Sequence, residues 1–194
     1  METEIQLIVR WIHVIAGVAW IGHLYFFNFV NVPLQGALDD AGKKAVNPQL
    51  MPRALWWFRW GAMITFLAGL ALFYLMYMQG GLMREADGAL SLRAKWIMGG
   101  MALGIIMWFN VWFIIWPAQK KLLGGTAGEA APALRKRAML ASRTNTYLSA
   151  PMLVGMVAGS HVPTNSAVMC GVAAVSLLVV WLCIKASYGV GKTV

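Results

Sequence analysis

The sequence has 194 residues, of which 60 % are hydrophobic and 12 % are charged, and its mean hydropathy is +0.65. An ordinary soluble domain has about 25 % charged residues, so this composition excludes that class and indicates an integral membrane protein. The net charge of +9 does not indicate a nucleic-acid partner, because the basic residues fall between apolar stretches, where they act as topology signals.

Apolar stretches about as long as a bilayer-spanning helix recur along the chain. We predict an all-α fold: a bundle of five transmembrane helices forming one domain, residues 1–194. The predicted spans are residues 10–32, 56–78, 95–116, 144–162 and 166–185. The fourth is shorter and more polar than the others, and Arg143 and the "HVPTN" turn bracket it as chain ends would. Glu2 and Glu4 precede the first span, so we expect no cleavable signal peptide.

The segments between the spans are expected to differ in structure. Residues 33–53 contain Gly36, Gly42, Pro48 and Pro52, which predicts an irregular loop with room for a short surface helix. Residues 119–143 begin with a Gly-rich stretch that we expect to be flexible. Their second half, "ALRKRAMLASR", is rich in helix formers, so it is expected to continue into the fourth span.

The basic residues are distributed unevenly over the two sides of the predicted bundle. The segments after the first, third and fifth spans carry 12 of the 16 lysines and arginines. The other side carries only Arg10, Arg84, Arg93 and Lys95. By the positive-inside rule, the N-terminus is expected outside and the C-terminus in the cytoplasm.

Three histidines lie at membrane depth, where ionisable side chains are rare and usually functional. His13 lies about one turn, roughly 5 Å, below the outer interface that Arg10 and Trp11 mark. His161 ends the fourth span and Lys95 begins the third, so both return to the same level. Three nitrogen ligands from three helices are therefore predicted to meet in one leaflet.

Haem b suits these residues better than a bare metal ion. Zinc needs three or four His, Cys or carboxylate ligands, and the chain has few acidic residues. The 13 methionines are compatible with copper, but they are also ordinary in membrane helices. Haem b needs only one or two axial histidines in an apolar pocket, and no Cys-x-x-Cys-His motif for covalent haem is present. We predict haem b with His13 and His161 as the metal ligands.

The rest of the predicted haem site follows from helix geometry. Gly17 and Trp20 lie about 40 and 20 degrees from His13 around the helix, where they would form a porphyrin wall. Basic residues at the outer surface would meet the haem propionates: Arg10, Arg93 and Lys95. For Lys95, iron ligation, propionate pairing and snorkelling all stay open. A pair of hydrogen-bonded interfacial histidines without a cofactor remains the alternative.

His23 belongs to a different predicted site. It lies about 15 Å deeper than His13 and about 80 degrees around the helix, so it cannot bind the same iron. Asn110, Arg143 and Asn145 come near its level and complete a second polar site in the cytoplasmic leaflet. A second haem, a quinone or substrate pocket, and ordinary interhelical hydrogen bonding are all open for it.

Two segments carry a family resemblance: "RWIHVIAGVAWIG", residues 10–22, and "SRTNTYLSAPMLVGMVAGSH", residues 142–161. They resemble the membrane domain of the urate oxidase N-terminal family, the bacterial membrane-bound urate hydroxylases, and the similarity extends over nearly the whole chain. Those proteins continue into a C-terminal cytochrome c domain. This chain stops at Val194, so the resemblance implies a separate electron acceptor.

A more distant similarity is to the membrane protoporphyrinogen oxidases and the copper-resistance D-type membrane proteins, which share a first helix like "HVIAGVAWIG". In the protoporphyrinogen oxidases a first-helix histidine and a third-helix lysine flank a b-type haem. His13 and Lys95 would match these two residues, so this resemblance also implies haem b.

We therefore expect a multi-pass protein of the bacterial inner membrane that binds haem b and transfers electrons, as a redox partner or subunit of a respiratory-type system. Its expected partners are the lipid bilayer and a quinone, a cytochrome c or a larger respiratory complex, and homo-oligomerisation stays open. One alternative is a haem-dependent membrane oxidase or dehydrogenase acting on a urate-like or porphyrinogen-like substrate. A second is a non-redox membrane transport or assembly protein.

Overall fold

The computed structural model describes residues 2–159, 161 and 166–190, and almost all of this part is helical. The helices are α1 Glu2–Tyr25, α2 Val32–Ala37, α3 Asp40–Phe73, α4 Leu92–Phe109, α5 Trp116–Leu123, α6 Ala131–Ala158 and α7 Ser166–Ser187. Within the described residues, β structure is limited to a single bridge between Arg84 and Leu90. The predicted all-α fold is confirmed.

Three π-helical segments lengthen the main helices. Phe26–Asn31 joins α1 to α2, Tyr74–Gln79 extends α3, and Asn110–Ile115 joins α4 to α5. Backbone bonds in such segments run from i to i+5, so each widens the helix locally and changes which side chains face the interior.

Four helical stretches in the described part of the chain are long and apolar enough to cross a bilayer: Thr3–Ala37, Asp40–Gln79, Leu92–Leu123 and Ala167–Ser187. They support a multi-pass membrane protein. The fifth long helix, α6, has 28 residues and covers positions 144–158 of the predicted fourth span, 144–162. The polar residues Arg143, Thr144, Asn145 and Thr146 lower its hydropathy, and it packs against α4 inside the bundle.

The prediction of an irregular loop over residues 33–53 is wrong. The chain breaks only around Leu38, and the Asp39 side chain then accepts a hydrogen bond from the Gly42 amide at 2.7 Å and caps α3. α3 continues through Pro48 and Pro52, each of which lacks a backbone N–H donor. The Asp39 cap and the packing of the later turns stabilise the helix by more than the loss of these two hydrogen bonds costs. The predicted continuation of "ALRKRAMLASR" into the next span is confirmed by α6.

Glycines hold the long helices together in two pairs. A Cβ on Gly61 of α3 would lie 3.0 Å from the Trp20 amide nitrogen of α1, so the two backbones can meet only at a glycine. In the second pair, a Cβ on Gly155 of α6 would lie 2.7 Å from the Cα of Gly100 in α4. Small residues allow this approach in membrane bundles. Large buried side chains, including Leu24 and Met107, form one core cluster with residues of both pairs.

Candidate cofactor site

An apolar cavity of about 500 Å³ lies between the two helix pairs, towards the N-terminal part of α1. This volume is within the about 300–1,000 Å³ that is typical of ligand pockets. Side chains of α1, α3, α4 and α6 line it, and nearly all of them are aliphatic, aromatic, Met or Gly. Several lining residues, among them Val14, Val18 and Val157, are exposed on the outside of the bundle. The cavity therefore opens sideways, towards the bilayer.

His13 of α1 is half-buried at this cavity, and its hydrogen bond shows that one particular ring nitrogen carries a proton. Its Nδ1 lies 2.9 Å from the Thr65 backbone carbonyl of α3. A carbonyl can only accept, so Nδ1 donates its proton in this bond, and in the neutral form of the ring the lone pair lies on Nε2. Metal-ligating histidines commonly show this arrangement, with one nitrogen oriented by a carbonyl and the other available to the metal.

Gly69 makes room for the imidazole. A Cβ at this position would lie 3.0 Å from the His13 Cε1 and 3.2 Å from its Nδ1. Gly69 also lines the cavity, as does Gly17 one turn after His13. Gly17 and Trp20, which the sequence predicts beside His13, line the same cavity as His13, and α3 adds Gly69.

Trp20 contributes an unused hydrogen-bond donor. Its side chain is 2 % exposed and lines the cavity, and its indole Nε1–H meets no acceptor in the described part of the chain. A buried N–H without a partner carries a desolvation cost of about 1–3 kcal/mol. A ligand with an acceptor group in the cavity would remove this cost.

The opposite wall, from α4 and α6, is flexible and rich in sulfur. Met101, Met152 and Met156 line it together with Gly104. A Cβ on Gly104 would meet its nearest neighbour, the Met152 Cγ, at 3.9 Å, so this glycine leaves a flat and open surface. Methionine thioethers are soft ligands and fill irregular gaps around large apolar groups.

The predicted propionate partners lie at the N-terminal end of α1 and α4, outside the lining of the cavity. The Arg10 guanidinium is exposed and donates to the Met76 sulfur at 3.2 Å. Met76 belongs to the π-helical segment at the end of α3, and Arg93 lies in the first turn of α4. Lys95 is exposed at the same end of α4.

His161 follows α6 in a turn, where its amide donates to the Ala158 carbonyl at 2.8 Å. α6 reaches the level of Arg93 there, because a Cβ on Gly159 would lie 3.1 Å from the Arg93 Cα. The His161 side chain is exposed and is not among the residues that line the cavity. The structure thus brings the end of α6 that precedes His161 to the level of Arg93, and His161 lies outside the lining of the cavity that contains His13.

The second predicted polar site divides into separate parts. Asn110 donates to the Asn145 side-chain oxygen at 2.8 Å, and the fully buried Asn145 donates to a backbone carbonyl of α4 at 2.9 Å. Arg143 instead donates to a tyrosine hydroxyl just after α7, at 3.3 Å. The His23 Nδ1 donates to a carbonyl one turn earlier in α1, at 2.7 Å. Only Asn110 and Asn145 are therefore joined, as an interhelical bridge between α6 and the π-helical segment after α4.

Within the described residues, no group of three or more His, Cys, Asp or Glu side chains could hold a metal ion. The donor set at the cavity is one histidine with nearby thioethers.

Two contributors to the site were not predicted from the sequence. The Thr65 carbonyl is a backbone atom 52 residues from His13, so no residue type signals it. From the sequence alone, the three methionines of the opposite wall are indistinguishable from ordinary residues of membrane helices. Their regular placement on inward faces of α4 and α6, beside Gly104, is the signal that could have found them.

The fold and this cavity define a class: a multi-pass α-helical membrane protein with an apolar, histidine-bearing cavity between two helix pairs. The chain belongs to the urate oxidase N-terminal family, because that family's model matches residues 1–44, 34–87 and 81–190 and so covers nearly all of the chain. The resemblance predicted from the sequence is confirmed. A search of curated proteins and a search of solved structures each found no match.

Proposed function

We propose that this family member is a membrane haem b protein that transfers electrons, with His13 as an axial ligand. The observation that supports this most strongly is the His13 to Thr65 bond, which leaves a free Nε2 lone pair at an apolar cavity of suitable size. When bound, haem b supplies reversible one-electron exchange at its iron.

The residues at the cavity fit this cofactor in three respects. Gly17 and Gly104 leave flat surfaces where a ring system can approach the helix backbones, and Gly69 makes room for the His13 imidazole. The unpartnered Trp20 N–H offers a donor within the apolar wall. Aliphatic side chains exclude water from most of the lining, and burial of this kind tunes a haem potential.

The ligand opposite His13 has two candidates. His161 remains the candidate predicted from the sequence, although its exposed position supports it less than the sequence did. Met101, Met152 and Met156 lie in the cavity wall itself, and a thioether there would raise the potential relative to a second histidine.

The electron partners are proposed from the position of the cavity. Its lateral opening favours exchange with a quinol dissolved in the bilayer, and the outer cations favour a soluble cytochrome c on that side. The proposed location is the bacterial inner membrane, with the N-terminus outside.

A second candidate function is the oxidation of a urate-like substrate, and the family match favours it. Anaerobic mixing separates the two functions. Rapid haem reduction by quinol without reduction by urate supports the electron carrier, and reduction by urate supports the oxidase.

The proposed cofactor is tested by purifying the full chain in detergent from cells supplied with a haem precursor. We expect a Soret band, the reduced bands of a b-type haem, and a pyridine haemochrome value of one haem per chain. Protein that is folded and monodisperse but shows no Soret band would contradict both candidate functions.

A further inference from the structure

Arg59 is a charged residue inside a predicted membrane span, and it lies outside the His13 cavity. It belongs to α3, about one turn after the predicted start of the second span at position 56, and its side chain is half-buried. A second cavity, of about 1140 Å³, opens at this end of the bundle, lined by the π-helical extension of α1, by α2, α3, α5 and α6. Arg59 lies outside that lining too. Charged residues at membrane depth are costly and rare, so this arginine needs a partner.

Three tryptophans hold Arg59 in place. The central carbon of its guanidinium lies over the Trp116 ring, 3.8 Å from the centroid, and 5.8 Å from the Trp60 centroid. The Trp112 indole N–H donates to the Arg59 carbonyl at 3.2 Å, and the Trp112 ring meets Trp60 edge to face, with centroids 5.5 Å apart. We call these four residues the arginine–tryptophan cluster. The cluster joins α3 to α5 and to the π-helical segment after α4, and it positions the cation on an aromatic face.

The cluster leaves the charge of Arg59 without an anion. α3 has no acidic residue after Asp40, and the chain from α4 to the end of α5 has none. The Arg59 Nε–H is buried and meets no acceptor in the described part of the chain. Stacking uses only the face of a guanidinium, because its N–H bonds point outward in its plane. The arrangement is therefore open to a negatively charged acceptor from another molecule.

The surroundings of the cluster are typical of a membrane interface. Trp56, Trp57 and Trp60 are 47 %, 56 % and 39 % exposed, and tryptophan is enriched at the level of the lipid headgroups. Exposed Lys120 follows Trp116 by one turn, so both project from the same face of α5. A second cation thus lies on the headgroup side of the cluster, where anionic lipids attract basic residues.

Apolar side chains continue from the cluster towards the centre of the bilayer. Ile64 and Leu67 follow Trp60 at helical spacing on α3, and they are 43 % and 56 % exposed. On the neighbouring helix, exposed Phe113 stacks on exposed Phe109, with centroids 4.9 Å apart. Polar donors followed by an exposed apolar path match a phosphate ester that carries acyl chains.

We propose that the arginine–tryptophan cluster binds one anionic phospholipid of the leaflet predicted to face the cytoplasm. The Arg59 guanidinium donates to the phosphate oxygens, Lys120 balances the remaining negative charge, and the acyl chains lie along Ile64 and Phe113. A zwitterionic lipid offers the same phosphate, but its positive headgroup would be repelled by the two cations. We therefore expect phosphatidylglycerol to bind more tightly than phosphatidylcholine.

Native mass spectrometry of the purified full-length protein, released from detergent micelles, tests the proposal by resolving each bound lipid by its mass. The protein is titrated with phosphatidylglycerol or with phosphatidylcholine of the same acyl chains. We expect one phosphatidylglycerol per chain to bind about tenfold tighter than phosphatidylcholine. Glycerol 3-phosphate, added in excess as a soluble competitor, should not displace the lipid, because it has no acyl chains.

Two variants with the same chemical change locate the site. Arg59→Gln removes the stacked guanidinium, and we expect it to weaken phosphatidylglycerol binding about tenfold. Arg53→Gln is the matched control, since Arg53 is an exposed arginine of the same helix that donates to the Gln49 carbonyl. It should leave the affinity within about twofold of wild type. Arg59→Lys keeps the charge but loses the planar donor edge, so its affinity should be intermediate.

A second pair of variants tests the aromatic part and does not require Arg59 to be replaced. Trp116→Leu removes the ring beneath the guanidinium, and we expect it to weaken phosphatidylglycerol binding about threefold. Trp56→Leu removes an exposed tryptophan of the same end of α3 that lies outside the cluster, and it should leave the affinity unchanged. If Arg59→Gln does not fold, this pair alone decides whether the cluster is the site.

Four results would overturn the proposal. They are equal affinity for the two lipids, equal losses in Arg59→Gln and Arg53→Gln, equal affinities in Trp116→Leu and Trp56→Leu, and displacement of phosphatidylglycerol by glycerol 3-phosphate. The last result would assign the cluster to a soluble phosphate ester instead of a lipid. Because the measurement counts lipids and not haem, its outcome is independent of the proposed function.

Discussion

The Nδ1–H of His13 donates to the Thr65 carbonyl, and this bond determines which ring nitrogen remains available in the cavity. Depth in the membrane and helical phase are the basis on which the sequence predicts a site at His13, Gly17 and Trp20, and the structure places all three at one cavity. The Thr65 carbonyl was not predictable, because its position depends on the register between α1 and α3. That register is set by the close approach at Gly61.

Gly69 tests how far the His13 ring depends on its neighbour. In Gly69→Ala the new Cβ would lie 3.0 Å from the imidazole Cε1, so the ring must move. We expect lower haem content and a shifted Soret band in the purified variant. Gly99→Ala is the matched control, since a Cβ there meets nothing within 4 Å. Identical spectra for the two variants would show that the ring is not held at Gly69.

His161 tests the ligand opposite His13. Because its side chain is exposed and outside the lining, we expect His161→Ala to keep the haem and a nearly unchanged reduced spectrum. The measurement is haem content and spectrum against wild type at equal protein concentration. Loss of haem, or conversion to a five-coordinate spectrum, would instead support the paired histidines predicted from the sequence.

At the level of helices, the predicted order and number of long helices agree with the structure, whereas the predicted boundary of α3 does not. Pro48 and Pro52 indicated a loop, but α3 begins well before them, at Asp40. Counting Gly and Pro residues one by one does not predict where α3 begins. The start of α3 depends jointly on the Asp39 cap and on the packing of the turns that follow. The Asn110 to Asn145 bridge is a similar case: sequence placed both residues at one level, and the structure adds their direct bond.

The α4–α6 crossing gives a stability prediction. Gly155→Ala would put a Cβ 2.7 Å from the Gly100 Cα, and backbone cannot move aside as a side chain can. We expect a loss of about 1–3 kcal/mol, the usual cost of overpacking, and a lower Tm in detergent. Gly171→Ala on α7, with open space at its Cβ, should leave the Tm near that of wild type. Equal Tm values for both variants would contradict the close crossing.

At the level of the whole molecule, two cavities lie at opposite ends of one bundle. α1 lines the His13 cavity and its π-helical extension Phe26–Asn31 lines the other, and His13 and Asn28 are about 22 Å apart along this continuous helix. Between them, the Tyr25 hydroxyl lies 2.9 Å from the Ser149 hydroxyl and ties α1 to α6. Composition predicted the membrane class and the charge pattern predicted an orientation. Neither cavity was predictable, because each forms between helices that are far apart in sequence.

The predicted orientation can be measured with single cysteines. After Cys170 and Cys183 are replaced by serine, Ala86→Cys reports the α3–α4 loop and Ala127→Cys reports the segment between α5 and α6. A membrane-impermeant maleimide added to intact spheroplasts should label position 86 and leave position 127 unlabelled until lysis. The reverse labelling pattern would place the N-terminus in the cytoplasm.

His13 is the central residue of the proposed haem site. The most direct test compares the haem content of the His13→Ala variant with that of the His23→Ala variant. Both substitutions remove one imidazole from α1, but only His13 lines the apolar cavity. We predict that His13→Ala loses the b-type Soret band while His23→Ala keeps it at the wild-type level. A folded His13→Ala protein with full haem content and an unchanged spectrum would contradict the proposed site.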